Sequence, residues 1–202
     1  MTRYGKPHKI RSLFFLGVRS FTILSNWDVK LFYWVNSHFQ WPLVEKFMSF
    51  ISIKQNFIVP GVIAAVLILW AYKMRGLACL LAGGAAVGLT DFISHNFLKE
   101  IVARPRPCHT LPDLNHITNC SNSYSFPSNH AGNLFAAATL MSLSFKDLTF
   151  LVYTCALLVG YSRVYLAVHY PSDVLGGAIF GTVMGVLGYK LLYKRFCKYL
   201  KA

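Results

Sequence analysis

Long apolar stretches dominate the chain, and polar residues are concentrated in the segments between them. Five such stretches lie at residues 56–72, 77–97, 129–145, 148–168 and 174–193. Each is close to the ~20 residues that an α-helix needs to cross ~30 Å of hydrocarbon. A lipid-facing backbone must satisfy its own hydrogen bonds, so we predict that each stretch forms a membrane-spanning helix.

Residues 12–53 have a more mixed pattern. The segment WDVKLFYWVNSHFQW places Trp27, Tyr33, Trp34 and Trp41 among polar residues, which is typical of a segment lying partly in the membrane interface. We predict an irregular, amphipathic first span here. The predicted fold class is therefore all-α, a polytopic membrane bundle of about six helices.

Composition supports a membrane setting. Hydrophobic residues make up 55% of the chain and charged residues only 13%, with a mean hydropathy of +0.46, which is too apolar for an ordinary soluble domain. A chain of 202 residues leaves room for one bundle and no separate soluble catalytic domain. We predict one domain over 1–202, in which an N-terminal basic segment and first span (1–53) precede a catalytic core (54–202).

Charge predicts the orientation of this bundle. The chain has 20 Lys and Arg against 7 Asp and Glu, clustered at its ends in TRYGKPHKIR and KRFCKYLKA, which favours an anionic leaflet over nucleic acid as the partner. Short turns carry Lys73, Arg75 and Lys146, so the positive-inside rule predicts that they and both termini face the cytoplasm of a multi-pass inner-membrane protein. The loop at 98–128 and the turn at 169–173 then face outward.

Two glycine-rich segments predict close helix packing. Gly177, Gly181 and Gly185 recur every four residues along one helical face, which lets a neighbouring backbone approach. We interpret LAGGAAVG, at residues 81–88, in the same way.

Most of the unusual chemistry lies on the predicted outer side. Asp91, His95 and Lys99 also recur every four residues and share a helical face. Ionisable groups in a span are functional candidates by default, and a buried structural ion pair is the alternative for Asp91 and His95. Further along, Ser128 is a candidate N-cap at a helix end whose free N–H groups can bind an anion, and Arg163 needs an anionic partner near the end of its apolar span.

Three segments, KEIVARPRP, PSNH and SRVYLAVHYPSD, together resemble the three motifs of the type 2 phosphatidic acid phosphatase superfamily, the membrane lipid phosphate phosphatases. The family patterns are Lys, six residues, Arg-Pro; Pro-Ser-Gly-His; and Ser-Arg, five residues, His, three residues, Asp. The resemblance covers residues 99–173. Asn129 stands where the family has Gly; Asn best tolerates a left-handed backbone among the other residues and keeps its N–H, so we expect the phosphate loop to survive.

The resemblance implies a site and a mechanism. His169 is the implied nucleophile, forming a phosphohistidine that water hydrolyses, Asp173 orients its imidazole, and His130 protonates the leaving oxygen and later activates water. The implied phosphate-binding residues are Lys99, Arg106, Ser128, Asn129, Ser162 and Arg163. These cations occupy the role that a metal would fill, so no metal or other cofactor is expected. Arg104 lies outside the matched positions, and we interpret it as a surface or headgroup contact.

The resemblance predicts an integral membrane phosphatase, and the charge pattern predicts that its site faces the exterior. Candidate substrates are undecaprenyl diphosphate, lipid A phosphate and phosphatidylglycerophosphate. A phosphotransferase using the same phosphohistidine is one alternative, and a non-catalytic lipid transporter is another, disfavoured by the presence of His169, His130 and Asp173.

Two cysteines lie in the predicted outward loop. Cys108 and Cys120 bracket HTLPDLNHITN, and an oxidising exterior favours a disulfide between them. A zinc site that adds His109 and His116 is the rival interpretation, and free thiols are a third.

Overall fold

The structure is a computed structural model that describes residues 18–38, 40–115 and 120–199. Every regular element within these ranges is helical, which confirms the predicted all-α class. The α-helices are α1 (Val18–Ser37), α2 (Pro42–Ser52), α3 (Ile58–Ile93), α4 (Lys99–Val102), α5 (Pro107–Thr110), α6 (Asn129–Ser144), α7 (Thr149–Tyr165), α8 (Pro171–Gly188) and α9 (Lys194–Tyr199). The basic segment predicted at the N-terminus, residues 1–11, lies outside the described residues.

Shorter turns connect these helices. Two 3₁₀ turns, Lys54–Phe57 and Lys146–Leu148, lead into α3 and α7. Two π-helical turns, Ser94–Leu98 and Tyr189–Tyr193, continue α3 and α8. The π-turn after α3 leads directly to Lys99, and such irregular turns are frequent at functional sites.

Helix α3 contains two of the predicted spans. Lys73 has non-helical backbone angles (φ 49°, ψ −123°), within the basic turn that the sequence predicts between them. A side chain at Gly76 would collide with the backbone of Ile68, eight residues earlier, although those residues would lie about 12 Å apart along a straight helix. The chain therefore folds back at Lys73, and Gly76 is required because the two halves touch there.

Three helical stretches of the described chain are long and apolar enough to cross a membrane: Lys54–Thr110, Lys146–Tyr165 and Pro171–Tyr199. The first, at 57 residues, contains the reversal at Lys73. Helix α6 matches another predicted span closely but has only 16 residues. In the N-terminal region, Trp27, Trp34 and Trp41 are all more than half exposed, which suits aromatic residues at a membrane interface.

The closest helix packing is between α6 and α8. A Cβ added at Gly177, Gly181 or Gly185 would collide with the backbone carbonyl of Ser128, Gly132 or Ala136, respectively. The predicted role of this glycine face is confirmed. The same interpretation of LAGGAAVG is wrong for two of its glycines, because a Cβ at Gly84 or Gly88 would meet nothing within 4 Å.

The basic turns gather at one end of the bundle. Tyr72 stacks on Phe145 with ring centroids 3.7 Å apart and donates a hydrogen bond to Asp147, while the Arg75 guanidinium lies 5.9 Å from the Phe145 ring centre. Helix α6 ends beside these turns, at Ser144, so its N-terminus at Asn129 lies at the opposite end of the bundle.

Candidate active site

A polar cavity of about 250 Å³ lies at the end of the bundle opposite the basic turns. It is lined by Lys54, Asp91, His95, Lys99, Arg106, Ser121, Ser123, Asn129, His130, Arg163 and His169. The predicted common face of Asp91, His95 and Lys99 is confirmed, since all three line this cavity. All three motif segments also contribute side chains to it, although they are far apart in the sequence.

His169 lies in the loop between α7 and α8 and is 2% exposed. Its Nδ1 lies 3.4 Å from Ser125 Oγ and 3.6 Å from Asp173 Oδ2, the second distance being longer than a hydrogen bond. Its Nε2 lies 3.3 Å from Arg106 Nη1. The two ring nitrogens therefore face different partners, with Nδ1 toward the carboxylate and Nε2 toward a cavity-lining guanidinium.

Burial lowers the pKa of the His169 imidazole to about 3; Asp173 opposes this shift and Arg106 adds to it. The ring is therefore neutral at pH 7, which leaves one nitrogen with a free lone pair. Because Nε2 lies beside a donor and Nδ1 beside a carboxylate, the arrangement favours the tautomer with the proton on Nδ1. Nε2 then carries the free lone pair of the ring.

Asp173 is completely buried and bound on both carboxylate oxygens. The Ser125 hydroxyl donates to Oδ2 at 2.5 Å and the Tyr170 backbone N–H donates to the same oxygen at 2.8 Å. Arg104 donates to Oδ1 at 2.7 Å. These contacts fix the carboxylate beside His169.

Lys99 and Arg106 are buried cations held by carbonyl groups. Lys99 Nζ donates to the Tyr124 carbonyl at 2.5 Å, and Arg106 Nε and Nη1 donate to the Ser123 and Val168 carbonyls at 2.7 and 2.9 Å. Within the described ranges, neither has a carboxylate at ion-pair distance. Their positive charge is therefore available to an anion entering the cavity.

Arg163 and His130 also line this cavity. Arg163 Nη1 donates to both the carbonyl and the hydroxyl of Ser52, the last residue of α2. Its Nε is buried and has no partner in the part of the chain that the structure describes. Lys54, two residues after Ser52, adds a further cation that no motif includes.

The N-terminus of α6 also meets the site. Ser128 is its N-cap residue, as predicted, but its buried hydroxyl makes no capping bond and has no partner among the described residues. Asn129 has ordinary helical geometry, so the left-handed backbone that we considered for it is not needed. Its side chain instead donates to Asp91 at 3.0 Å and accepts from Ser94 at 2.8 Å.

Two predicted placements need correction. Ser162 does not line the cavity; its buried hydroxyl donates to the Val159 carbonyl of the same helix at 2.7 Å, a bond that satisfies it within α7. Arg104 is not a surface or headgroup contact, because its guanidinium lies between Asp28 and Asp173 at 2.6 and 2.7 Å. Sequence reasoning also missed Ser125, which carries no motif of its own.

The loop before α6 holds the predicted cysteine pair. Cys108 and Cys120 form a disulfide, with Cα atoms 6.4 Å apart, so neither thiolate is free to bind zinc. His109 Nε2 lies 3.1 Å from Cys120 Sγ, and His116, the other ligand of the rival zinc site, lies outside the described residues. The loop continues into Ser123 and Tyr124, whose carbonyl groups hold Arg106 and Lys99.

Comparisons with known proteins give the family. The sequence model of the PAP2 superfamily matches residues 74–197. A lipid A 4'-phosphatase of Porphyromonas gingivalis is 30% identical over 77% of this chain and 70% of its own length. Phosphatidylglycerophosphatase B of Bacillus subtilis is 35% identical over 70% of this chain and 71% of its own.

Structural comparison agrees. The crystal structure of a transmembrane PAP2-type phosphatidylglycerolphosphate phosphatase from Bacillus subtilis matches with a TM-score of 0.62 and 25% identity. The match covers 93% of this chain and 94% of that one. With the three motif segments gathered at one cavity and the family model spanning most of the helical core, the chain belongs to the PAP2 superfamily and is a membrane lipid phosphatase.

Proposed function

We propose that the protein removes phosphate from a lipid-linked phosphate or diphosphate through a phosphohistidine on His169. The observation that carries this proposal is the placement of His169, whose Nε2 lies 3.3 Å from Arg106 Nη1 in a cavity lined by cations. Burial also lowers the pKa of this imidazole, which favours its neutral form. A neutral imidazole can attack phosphorus, while the surrounding cations stabilise the negative charge on the phosphoryl oxygens.

The proposed reaction has two steps. His169 Nε2 forms a bond to phosphorus as the bond from phosphorus to the lipid-side oxygen breaks, and His130 gives that oxygen a proton. Water then attacks phosphorus, His130 takes a proton from it, and the P–N bond breaks to release inorganic phosphate. Asp173 stabilises the positive charge that His169 carries between the two steps.

The phosphate is held by fixed side chains. Lys99, Arg106 and Arg163 surround it. The Ser128 hydroxyl, which does not line the cavity but is buried without a partner among the described residues, is a further donor in this proposal. The first N–H groups of α6 complete the coordination. The Asn129 N–H belongs to this set. Its side chain is occupied by Asp91 and Ser94, so it does not compete for the phosphate.

We propose that this site faces the exterior of the inner membrane and that both termini are cytoplasmic, in a bundle of about six spans. The basic turns near Lys73 and Lys146 lie at the end of the bundle opposite the cavity, and the positive-inside rule assigns such turns to the cytoplasm.

Candidate substrates remain undecaprenyl diphosphate, lipid A phosphate and phosphatidylglycerophosphate; the relatives named above are a lipid A 4'-phosphatase and a phosphatidylglycerophosphatase.

Phosphate release from a panel of these three lipids tests the proposal. Wild-type protein in detergent is expected to release phosphate from at least one of them, and His169→Ala from none. His130→Ala is expected to turn over ~10² to 10⁴-fold more slowly and to accumulate a phosphoprotein that is labile in acid and stable in alkali.

His109→Ala provides the matched control, because His109 is exposed and does not line the cavity. It should keep wild-type activity. Full activity in His169→Ala would contradict the mechanism, and a phosphoryl group appearing on an added lipid or sugar acceptor would identify a transferase.

A further inference from the structure

A cluster of ion pairs outside the cavity joins helix α1 to the beginning of α8. Arg104 donates from one guanidinium nitrogen to Asp173 at 2.7 Å and from another to Asp28 at 2.6 Å. The Asp28 side chain is 7% exposed and that of Arg104 16% exposed. Two carboxylates separated by most of the sequence therefore share one guanidinium.

Asp28 also caps α8 from another helix. Its Oδ1 accepts the Ser172 backbone N–H at 2.9 Å, and its Oδ2 accepts the Ser172 hydroxyl at 2.5 Å. The first N–H groups of a helix lack partners within it, and a carboxylate near them also interacts favourably with the helix dipole. Asp28 thus holds the helical turn that contains Asp173.

The orientation of the Arg104 guanidinium is further fixed by Tyr170. The guanidinium carbon lies 3.9 Å from the centre of the Tyr170 ring, within the range of a cation–π contact. Tyr170 is the residue between His169 and α8, and its backbone N–H binds Asp173. Arg104 therefore contacts both the carboxylate partner of His169 and the residue that follows His169.

We infer that Arg104 and Asp28 are positioning residues for the His169 and Asp173 pair, so that helix α1 completes the active site. Helix α1 precedes residues 74–197, the part of the chain matched by the family model. The inference rests on the proposed role of His169 as nucleophile. Neither residue touches the phosphate in this assignment, because neither lines the cavity.

The charges of the cluster explain why both Arg104 and Asp28 are needed beside Asp173. Asp173 must remain an anion to stabilise the positive charge on His169, and it is buried, where a lone carboxylate is costly. Arg104 offsets that cost. Asp28 takes part of the Arg104 interaction, which leaves Asp173 able to act on His169, and it keeps the guanidinium fork aligned.

The test separates positioning from phosphate binding by steady-state kinetics in detergent. Arg104→Ala is expected to lower kcat by ~10²-fold, the scale of loss when a catalytic group is misplaced by about 1 Å, while KM changes less than about threefold. Added guanidinium ion should restore part of the activity, since Arg104 is partly reachable from solvent. Arg195→Ala, on the exposed side of α9, is the matched control and should behave like wild type.

A double-mutant comparison tests the role of Asp28. Asp28→Asn keeps a side-chain oxygen for the Ser172 N–H and removes the charge that binds Arg104. It is expected to lower kcat, and the double variant Asp28→Asn/Arg104→Ala to lose less than the product of the two single losses. Independent, additive losses would overturn the coupling. A raised KM with unchanged kcat in Arg104→Ala would make Arg104 a headgroup contact and overturn the positioning role.

Failure of the proposed function would give a different pattern of variant activities from failure of the positioning role. Normal activity in Arg104→Ala alongside an inactive His169→Ala overturns only the positioning role. An active His169→Ala overturns the nucleophile assignment itself, whatever Arg104 does.

Discussion

Arg163 lines the cavity and uses only part of its hydrogen-bonding capacity within the described chain. One terminal nitrogen is bound to Ser52, while the buried Nε has no partner in the described chain. A phosphate in the cavity could use the remaining donors of the planar fork, which lysine cannot reproduce. We expect Arg163→Lys to lose roughly 10- to 100-fold in kcat/KM, the equivalent of about 1.5–3 kcal/mol for a hydrogen bond to a charged group.

Phosphate release is measured in excess EDTA for wild type and for Arg163→Lys. The comparison of the two proteins tests the role of Arg163, and the wild-type rate tests independence from metal. Wild-type activity should persist in the chelator because side-chain cations meet the charge on the phosphate. Arg195→Lys, on exposed α9, controls for the chemical change and should be neutral. A near-normal Arg163→Lys would mean that the arginine only anchors α7 to α2, and loss of wild-type activity in EDTA would contradict metal independence.

At the residue scale, sequence motifs identified site residues that lie at a fixed spacing along the chain. They missed residues that reach the site through contacts between distant segments. His169 and Asp173 belong to one motif, four residues apart, so the family resemblance implied their pairing. Arg104 meets Asp28 and Asp173 across 76 and 69 residues, and no periodicity encodes such a distance. Ser162 shows the opposite error: it belongs to a motif pattern, yet its hydroxyl is satisfied within its own helix.

At the scale of elements, the α6 and α8 interface positions the N-terminus of α6 beside the first turn of α8, where the Ser128 N–H donates to the Asp173 carbonyl. Gly181 lies in the middle of that interface against the Gly132 carbonyl, so even a methyl group forces the helices apart. We expect Gly181→Ala to destabilise the protein by about 1–3 kcal/mol, the usual cost of overpacking, and to lower activity. Thermal unfolding in detergent and phosphate release measure the two effects.

Gly84→Ala is the matched control for this prediction. It makes the same change in the middle of α3, where an added Cβ meets nothing within 4 Å, and it should be neutral or slightly stabilising because alanine favours helix. Equal losses in the two variants would show that the damage comes from replacing a helical glycine and not from the α6 and α8 contact.

The helices themselves could largely be predicted, because membrane-spanning segments require long apolar runs. Predicted spans at 129–145 and 148–168 correspond to α6 (Asn129–Ser144) and α7 (Thr149–Tyr165). Short α5 was not predicted, since four residues carry no measurable hydrophobic period. The π-turns were missed as well, because they leave the apolar pattern unchanged.

At the scale of the whole molecule, the two ends of the bundle differ in chemistry. One end holds the cavity, with its cations, the His169 loop and the disulfide-linked segment around Cys108 and Cys120. The other holds the basic turns, packed through Tyr72, Arg75 and Phe145. The cavity therefore gathers buried cations at the end away from the basic turns, an arrangement that the positive-inside rule alone does not predict.

The opposed ends predict which thiols can be reached from outside. A membrane-impermeant thiol label applied to intact cells should modify Cys108 and Cys120 only after reduction, because the disulfide consumes both thiols. Cys197, on α9, is the control for the opposite side and should be labelled only after the membrane is opened. The assay is best done on variants that keep either the disulfide pair or Cys197, with serine at Cys155, which is exposed on α7. Labelling of the pair without reductant would rule out the disulfide in cells, whereas labelling of Cys197 in intact cells would reverse the orientation and place the cavity on the cytoplasmic side.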